Sequence, residues 1–309
     1  MPNCPCLQDG ALLEVWMKKR NALFFAFAAV LVATLSACLQ VAPKARSTPE
    51  AAIEGFLDRT YGKPDKKYNA RIVRASSTCI GTPENEIDCN PFREGSDEFK
   101  SDYYMKIHRI DRVGDQDSSG KEKYYVLVTG AGEPACHACT GMFGAFVFEW
   151  QNGELNVVAS APHVIHGSSG EPAASWELIK LNSAGYYGWF ARHSGDSWQE
   201  HHFRWAEIHA PHNDRVVPLF ELTTAYHYEG IGYEDGVEGK AAVGETALEM
   251  DIQIDTADEN AAVYPLKAVM SGTLKGKKIR PRTFIIPFDE NEWKYVPSAE
   301  FEEAAKLMK

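Results

Sequence analysis

Cys136-His137-Ala138-Cys139 is the segment whose residue types and spacing could do the most chemistry. Two thiols two residues apart can close a disulfide, exchange with another disulfide, or bind a soft metal ion as thiolates. The neighbours separate these options. Covalent haem attachment needs a histidine directly after the second cysteine, and Thr140 stands there. A thioredoxin-like thiol pair opens a helix, whose N-terminus lowers the thiol pKa. Here Gly141-Met142-Phe143-Gly144 leads into an aromatic, strand-like run instead. A metal site using both thiolates and His137 needs a fourth ligand from elsewhere. A structural disulfide, Cys136–Cys139, needs nothing further and is the expectation.

The histidines are the second candidate set. Nine of the ten fall between residues 137 and 227. His163 and His166 are three apart, as are His209 and His212, and His201-His202 are adjacent. On a helix, a spacing of three puts both rings on one face; on a strand it does not. No His-Glu-x-x-His motif accompanies them. Surface or loop positions are the expectation, with no cofactor. The alternative is a thiol-redox or metal-binding protein built on Cys136-His137-Ala138-Cys139 and nearby histidines, with a zinc or copper site drawn from Cys136, His137, Cys139, His163, His166, His201, His202, His209 and His212.

Other segments are weaker. Asp115-Gln116-Asp117-Ser118-Ser119-Gly120 begins like a calcium-binding EF-hand loop, but Val126 replaces the twelfth-position Glu, and Lys121 and Lys123 add positive charge. A polar turn is expected. Gly167-Ser168-Ser169-Gly170 lacks the Gly-x-Ser-x-Gly spacing of a nucleophile turn. Trp189, Trp198 and Trp205 could stack on a glycan, although cross-strand packing is the ordinary use of such residues. No catalytic residues are assigned, and a binding or structural module is expected rather than an enzyme.

The elements that must position these residues are mostly strands. Short apolar or alternating runs fall at 70–75, 103–108, 123–129, 143–150, 155–159, 176–181, 186–191, 216–223, 247–254, 263–271, 282–288 and 293–296. Asn152-Gly153 between two alternating runs is a type I′ hairpin signal. Pro287 places its strand at an edge or ends it. A helix should follow Ser47 or Thr48, with Pro49 in its first turn and Ala52, Ile53, Phe56 and Leu57 on one face. A second should start at Ser298, with Glu300, Glu302 and Glu303 early and Lys306 and Lys309 late. The expected fold is mainly β, a β-rich α+β body of antiparallel sheets, sandwich- or barrel-like, with short N- and C-terminal helices. One domain over 47–309 is expected, with a possible sub-boundary near 229–246, where glycines cluster.

Upstream of this body lies a leader. Lys18-Lys19-Arg20 is followed by an apolar run to Ala37, then Cys38. The run is shorter than the roughly 20 apolar residues that a membrane-spanning helix needs. Leu35-Ser36-Ala37-Cys38 resembles the lipobox of the type II signal peptide of bacterial lipoproteins; the globular part is not assigned to a family. The resemblance implies cleavage before Cys38, with a diacylglyceryl group and usually an amide-linked acyl chain on that cysteine. In the enteric sorting pattern an Asp after the cysteine retains the protein at the inner membrane. Leu39 therefore implies the outer membrane, with the body facing the periplasm. Residues 1–16 are then an upstream extension, 17–37 the signal peptide and 38–46 a tether.

The leader sharpens two further expectations. The mature chain keeps Cys79, Cys89, Cys136 and Cys139 besides Cys38, an even set in an oxidising compartment, so Cys79–Cys89 joins Cys136–Cys139 as an expected local disulfide. Net charge is −11 for the whole chain. Loss of residues 1–37 removes three basic and two acidic residues and leaves it near −12. That balance excludes nucleic acid as a partner. The expected partners are the membrane, through the N-terminal lipid, and an envelope protein or glycan.

Overall fold

The structure, a computed structural model, describes residues 47–76, 80–81, 87–88, 100–114, 121–134, 139–172, 175–193, 195–198, 201–228 and 244–308. The leader and Cys38, together with Cys79, Cys89, Cys136, His137 and the acidic segment 115–120, lie outside the described residues.

The helix expected after Thr48 is α1 (Pro49–Tyr61). The main strands follow as β1 (Arg71–Ser76), β2 (Lys100–Gly114), β3 (Glu122–Gly130), β4 (Gly141–Gln151), β5 (Glu154–His166), β6 (Ser175–Lys180), β7 (Tyr187–Arg192), β8 (His201–His212), β9 (Arg215–Tyr228), β10 (Thr246–Ile254), β11 (Leu266–Leu274) and β12 (Arg282–Ile286). The closing helix is α2 (Ala299–Ala305). The body is β-rich with two short helices, and Pro49–Lys309 forms one compact unit.

Local chemistry explains several boundaries. Asn152 and Gly153 both have positive φ (56° and 86°), as a type I′ turn requires, and they join β4 to β5 with Gln151 opposite Glu154. Ser298 caps α2 by accepting a hydrogen bond from the Phe301 amide. β12 stops before Pro287 and pairs with β11. The strand β8 goes beyond the sequence expectation. Its paired histidines, Arg204, Glu207 and Pro211 make it look like a polar loop, yet five consecutive residues from Ala206 to Ala210 are buried.

Along the sheet the order is β1-β2-β3-β4-β5-β9-β8-β7-β6, and β10, β11 and β12 continue from β9. Neighbours are antiparallel except β5 and β9, which meet in parallel through the single pair Ser160 and Arg215. That narrow link divides the sheet into two halves, which fold over one another.

Side-chain alternation then sorts the core into three layers. Tyr124, Val126, Val128, Phe146 and Phe148 face α1 and meet its Ile53, Leu57 and Tyr61. The alternate residues Tyr125, Leu127, Phe143, Ala145 and Val147 face the other half-sheet and meet Trp176, Trp189 and Ala191. Beyond that, Phe190, Ala206, Ile208 and Ala210 pack with β10 to β12 and with Phe301, Ala304 and Met308 at the C-terminus. Arg109 ties the halves together, since its guanidinium donates to the Trp176 carbonyl at 2.7 Å while holding Asp111.

Two contacts dock α1. Buried Arg71 on β1 pairs with Glu54 and with Asp58, the latter at 2.8 Å. Tyr61 donates from its hydroxyl to the Pro162 carbonyl, and burial pushes its phenol pKa up. The ring lies over Gly144, where an added Cβ would stand 1.9 Å from the Tyr61 hydroxyl oxygen and 2.8 Å from the Pro162 carbonyl. Gly144→Ala should therefore cost about 2–4 kcal/mol of stability in a urea titration, combining overpacking with a displaced buried hydrogen bond. Tyr61→Phe removes the clashing oxygen, so the double variant should regain part of that loss. Strict additivity of the two changes would contradict this packing account.

Candidate metal centre

In the middle layer the register brings chemistry-bearing residues together. β7 and β8 pair Trp189 with His209 and Ala191 with Glu207. One step on, the His193 amide donates to the Trp205 carbonyl at 2.9 Å. Residues 189, 191 and 193 therefore share a face with 205, 207 and 209, the face turned toward the other half-sheet. From that half comes His166, the last residue of β5, paired with Gly141.

These residues form a buried cluster around one carboxylate. Glu207 is 2% exposed, and His193 and His209 are each 5% exposed. His193 Nε2 lies 3.1 Å from Glu207 Oε1, and His209 Nε2 lies 2.8 Å from Oε2. His166 Nε2 is 3.3 Å from Oε2, and its side chain, 24% exposed, gives the cluster an edge toward solvent. The His193 ring stacks on Trp205 at 4.6 Å and stands 4.9 Å from the His166 ring. His209 meets the edge of Phe143 at 5.0 Å and lies 6.3 Å from Trp176.

Electrostatics favour the ionised carboxylate. Burial alone would raise the Glu207 pKa, as it does for any carboxyl taken out of water. Hydrogen bonds from His193 and His209, with the charges of His209 and His166, outweigh that and hold it well below 4.5. Burial holds His166 below its ordinary 6.5, against the pull of Glu207. A neutral imidazole offers a lone pair, the form a metal ion binds. Moreover, His166 Nδ1 and the indole nitrogens of Trp176 and Trp189 are buried without a hydrogen-bond partner among the described residues.

One ligand atom from each of His166, His193 and Glu207 lies within 4.8 Å of the other two. His209 is not in that group, although its ring touches the same carboxylate. The set is two imidazoles and a carboxylate, the donor set of three-ligand zinc sites and of facial iron sites. On zinc, bonds of roughly 2.0–2.1 Å at tetrahedral angles put two ligand atoms about 3.3 Å apart. His193 Nε2 stands 3.1 Å from Oε1 and His166 Nε2 stands 3.3 Å from Oε2, so each imidazole is at about that span from one of the two carboxylate oxygens.

Of the residues singled out from sequence, the cluster includes His166 and His209. His163, three residues from His166 on a strand, turns to the opposite side and meets Tyr61 edge-on at 5.3 Å. His201 stacks on Tyr228 at 4.8 Å and bonds the Tyr226 hydroxyl at 2.8 Å. His202 lies against His227, and His212 stacks on Trp293 at 4.2 Å. Cys139 is disulfide-bonded, so its sulfur offers no thiolate in this state. Trp189 is fully buried rather than presented to a glycan.

His193 and Glu207 were missed by spacing. The available signal was the alternation Trp205-Glu207-His209 against Ala206-Ile208-Ala210, which places a lone acid on the side of a tryptophan and a histidine. Compared with known protein families, curated proteins and solved structures, the chain finds no match.

Proposed function

We propose that this protein is a lipid-anchored envelope protein whose β-body binds one divalent metal ion of the zinc class through His166, His193 and Glu207. The observation that carries the metal reading is the convergence of three ligand atoms, from two half-sheets, within 4.8 Å. The ligands come from strand ends and a central strand rather than loose loops. Their surroundings are largely dry, so the ion's attraction for the carboxylate is weakly screened. An ion there also joins the two half-sheets at a point remote from their narrow link at Ser160 and Arg215. The anchor reading rests on the lipobox resemblance, and the oxidising compartment it implies suits histidine and carboxylate ligands, which need no reductant.

The test is metal analysis of the purified body beginning after Cys38. After incubation with zinc and desalting, close to one equivalent per chain should remain. His193→Ala and His166→Ala should each drop the retained zinc to background at the same protein concentration. A wild-type body that retains no stoichiometric metal would sink the metal reading.

A further inference from the structure

The cluster holds three imidazoles, yet the third, His209, stands apart from the ligand group. Its Nε2 is 2.8 Å from Glu207 Oε2, the shortest contact to that carboxylate. It is fixed from other sides by the edge of Phe143 and by Trp176. His209 and Glu207 lie two apart on β8, so strand geometry alone puts both on one face. The second carboxylate oxygen, Oε1, faces His193 at 3.1 Å, while Oε2 also lies 3.3 Å from His166 Nε2.

We propose that His209 is the positioning residue of this centre: it donates to Oε2 and so fixes the orientation in which the Glu207 carboxylate meets the ion. This rests on the metal reading above. A metal-bound carboxylate with a free second oxygen can rotate or chelate through both oxygens. An outer hydrogen bond to that oxygen fixes its orientation, and loss of such a partner weakens metal binding by roughly 10–100-fold.

The experiment uses the purified body with zinc and with cobalt as a coloured substitute. His209→Phe keeps an aromatic ring beside Phe143 and Trp176 but removes the donor. It should still bind one ion, with affinity 10–100-fold lower, and its cobalt visible bands should shift as the carboxylate changes its mode. His209→Gln restores a donor and should recover most of the affinity and the original bands. Wild-type affinity and spectrum in His209→Phe would overturn the proposal, as would loss of binding as complete as in His193→Ala, which would make His209 a ligand. Failure of the wild-type body to bind zinc or cobalt at all is a different result and removes the metal reading itself.

Discussion

Glu207→Gln should leave the metal-free protein folded while abolishing its stabilisation by zinc. In the wild type, zinc at a hundredfold excess over its dissociation constant should add about 2.7 kcal/mol to unfolding, and the variant should show none of it. The metal-free comparison decides whether the carboxylate serves the ion or the fold. Gln is nearly isosteric and offers one acceptor and one donor, so His193 and His209 can both remain hydrogen-bonded once one of them changes tautomer. Two charge-assisted bonds become neutral ones, a loss of about 1–3 kcal/mol in total. Against that, a charge no longer has to be held out of water, and replacing buried ionic groups is often neutral or stabilising. Because the histidine contacts outweigh burial at this carboxylate, a net loss of about 1–3 kcal/mol at pH 7 is expected, measured in urea with a chelator present. Collapse of the variant without metal would mean that Glu207 is there for the fold.

Acid titration gives the same variant a second readout. Glu207 has a depressed folded pKa, so its stabilising contribution is complete above about pH 4.5 and is lost as pH falls through the folded value. In Glu207→Gln that loss is absent, and stability below pH 4.5 should fall less steeply, by up to about one proton or ~1.4 kcal/mol per pH unit. His166, held below 6.5 by burial, has the same acid-sensitive sign, because the unfolded chain takes up its proton first. Its contribution below pH 6.5 should persist in the variant. An unchanged slope below pH 4.5 would show that Glu207 is not ionised through its histidine contacts.

Local signals make much of the fold legible in the sequence. Asn152-Gly153 needs two positive φ angles, a requirement carried by the residues themselves. Ser298 caps whatever helix follows it, and Pro287 cannot donate to a ladder. The centre is different in kind. His166, His193 and Glu207 are brought together by register between β7 and β8 and by the folding of one half-sheet over the other. Neither is encoded in any window of sequence. Spacing rules favoured His163 with His166 and His209 with His212, but on strands an odd spacing sends the two rings to opposite faces. β8 was hidden for a related reason: its inward face carries a carboxylate and a histidine, so apolar alternation shows on one side only. A buried acid inside such a half-pattern is itself the clue, because burial without partners is too costly to persist.

Cys38→Ser should move the protein from the membrane pellet to the soluble fraction and abolish its labelling by radioactive palmitate. The expectation follows from chain energetics. Each methylene buried in a bilayer contributes about 0.8 kcal/mol, a single acyl chain holds a protein only marginally, and two or more hold it stably. A diacylglyceryl cysteine with an amide-linked chain would be well past that threshold, and replacing its sulfur removes the attachment point of the diacylglyceryl group. The charge of the mature chain adds no attraction to an anionic surface. Its net charge near −12 is repelled by anionic lipid, and among the described residues no helix is long and apolar enough to cross a membrane. Leu39→Asp makes a finer distinction, since it should redirect the anchored protein toward the inner membrane on a density gradient while labelling persists. Palmitate labelling that survives Cys38→Ser would remove the anchor. Loss of the anchor without loss of zinc binding would place the two properties in separate parts of the chain, as the distance in sequence between Cys38 and His166, His193 and Glu207 leads one to expect.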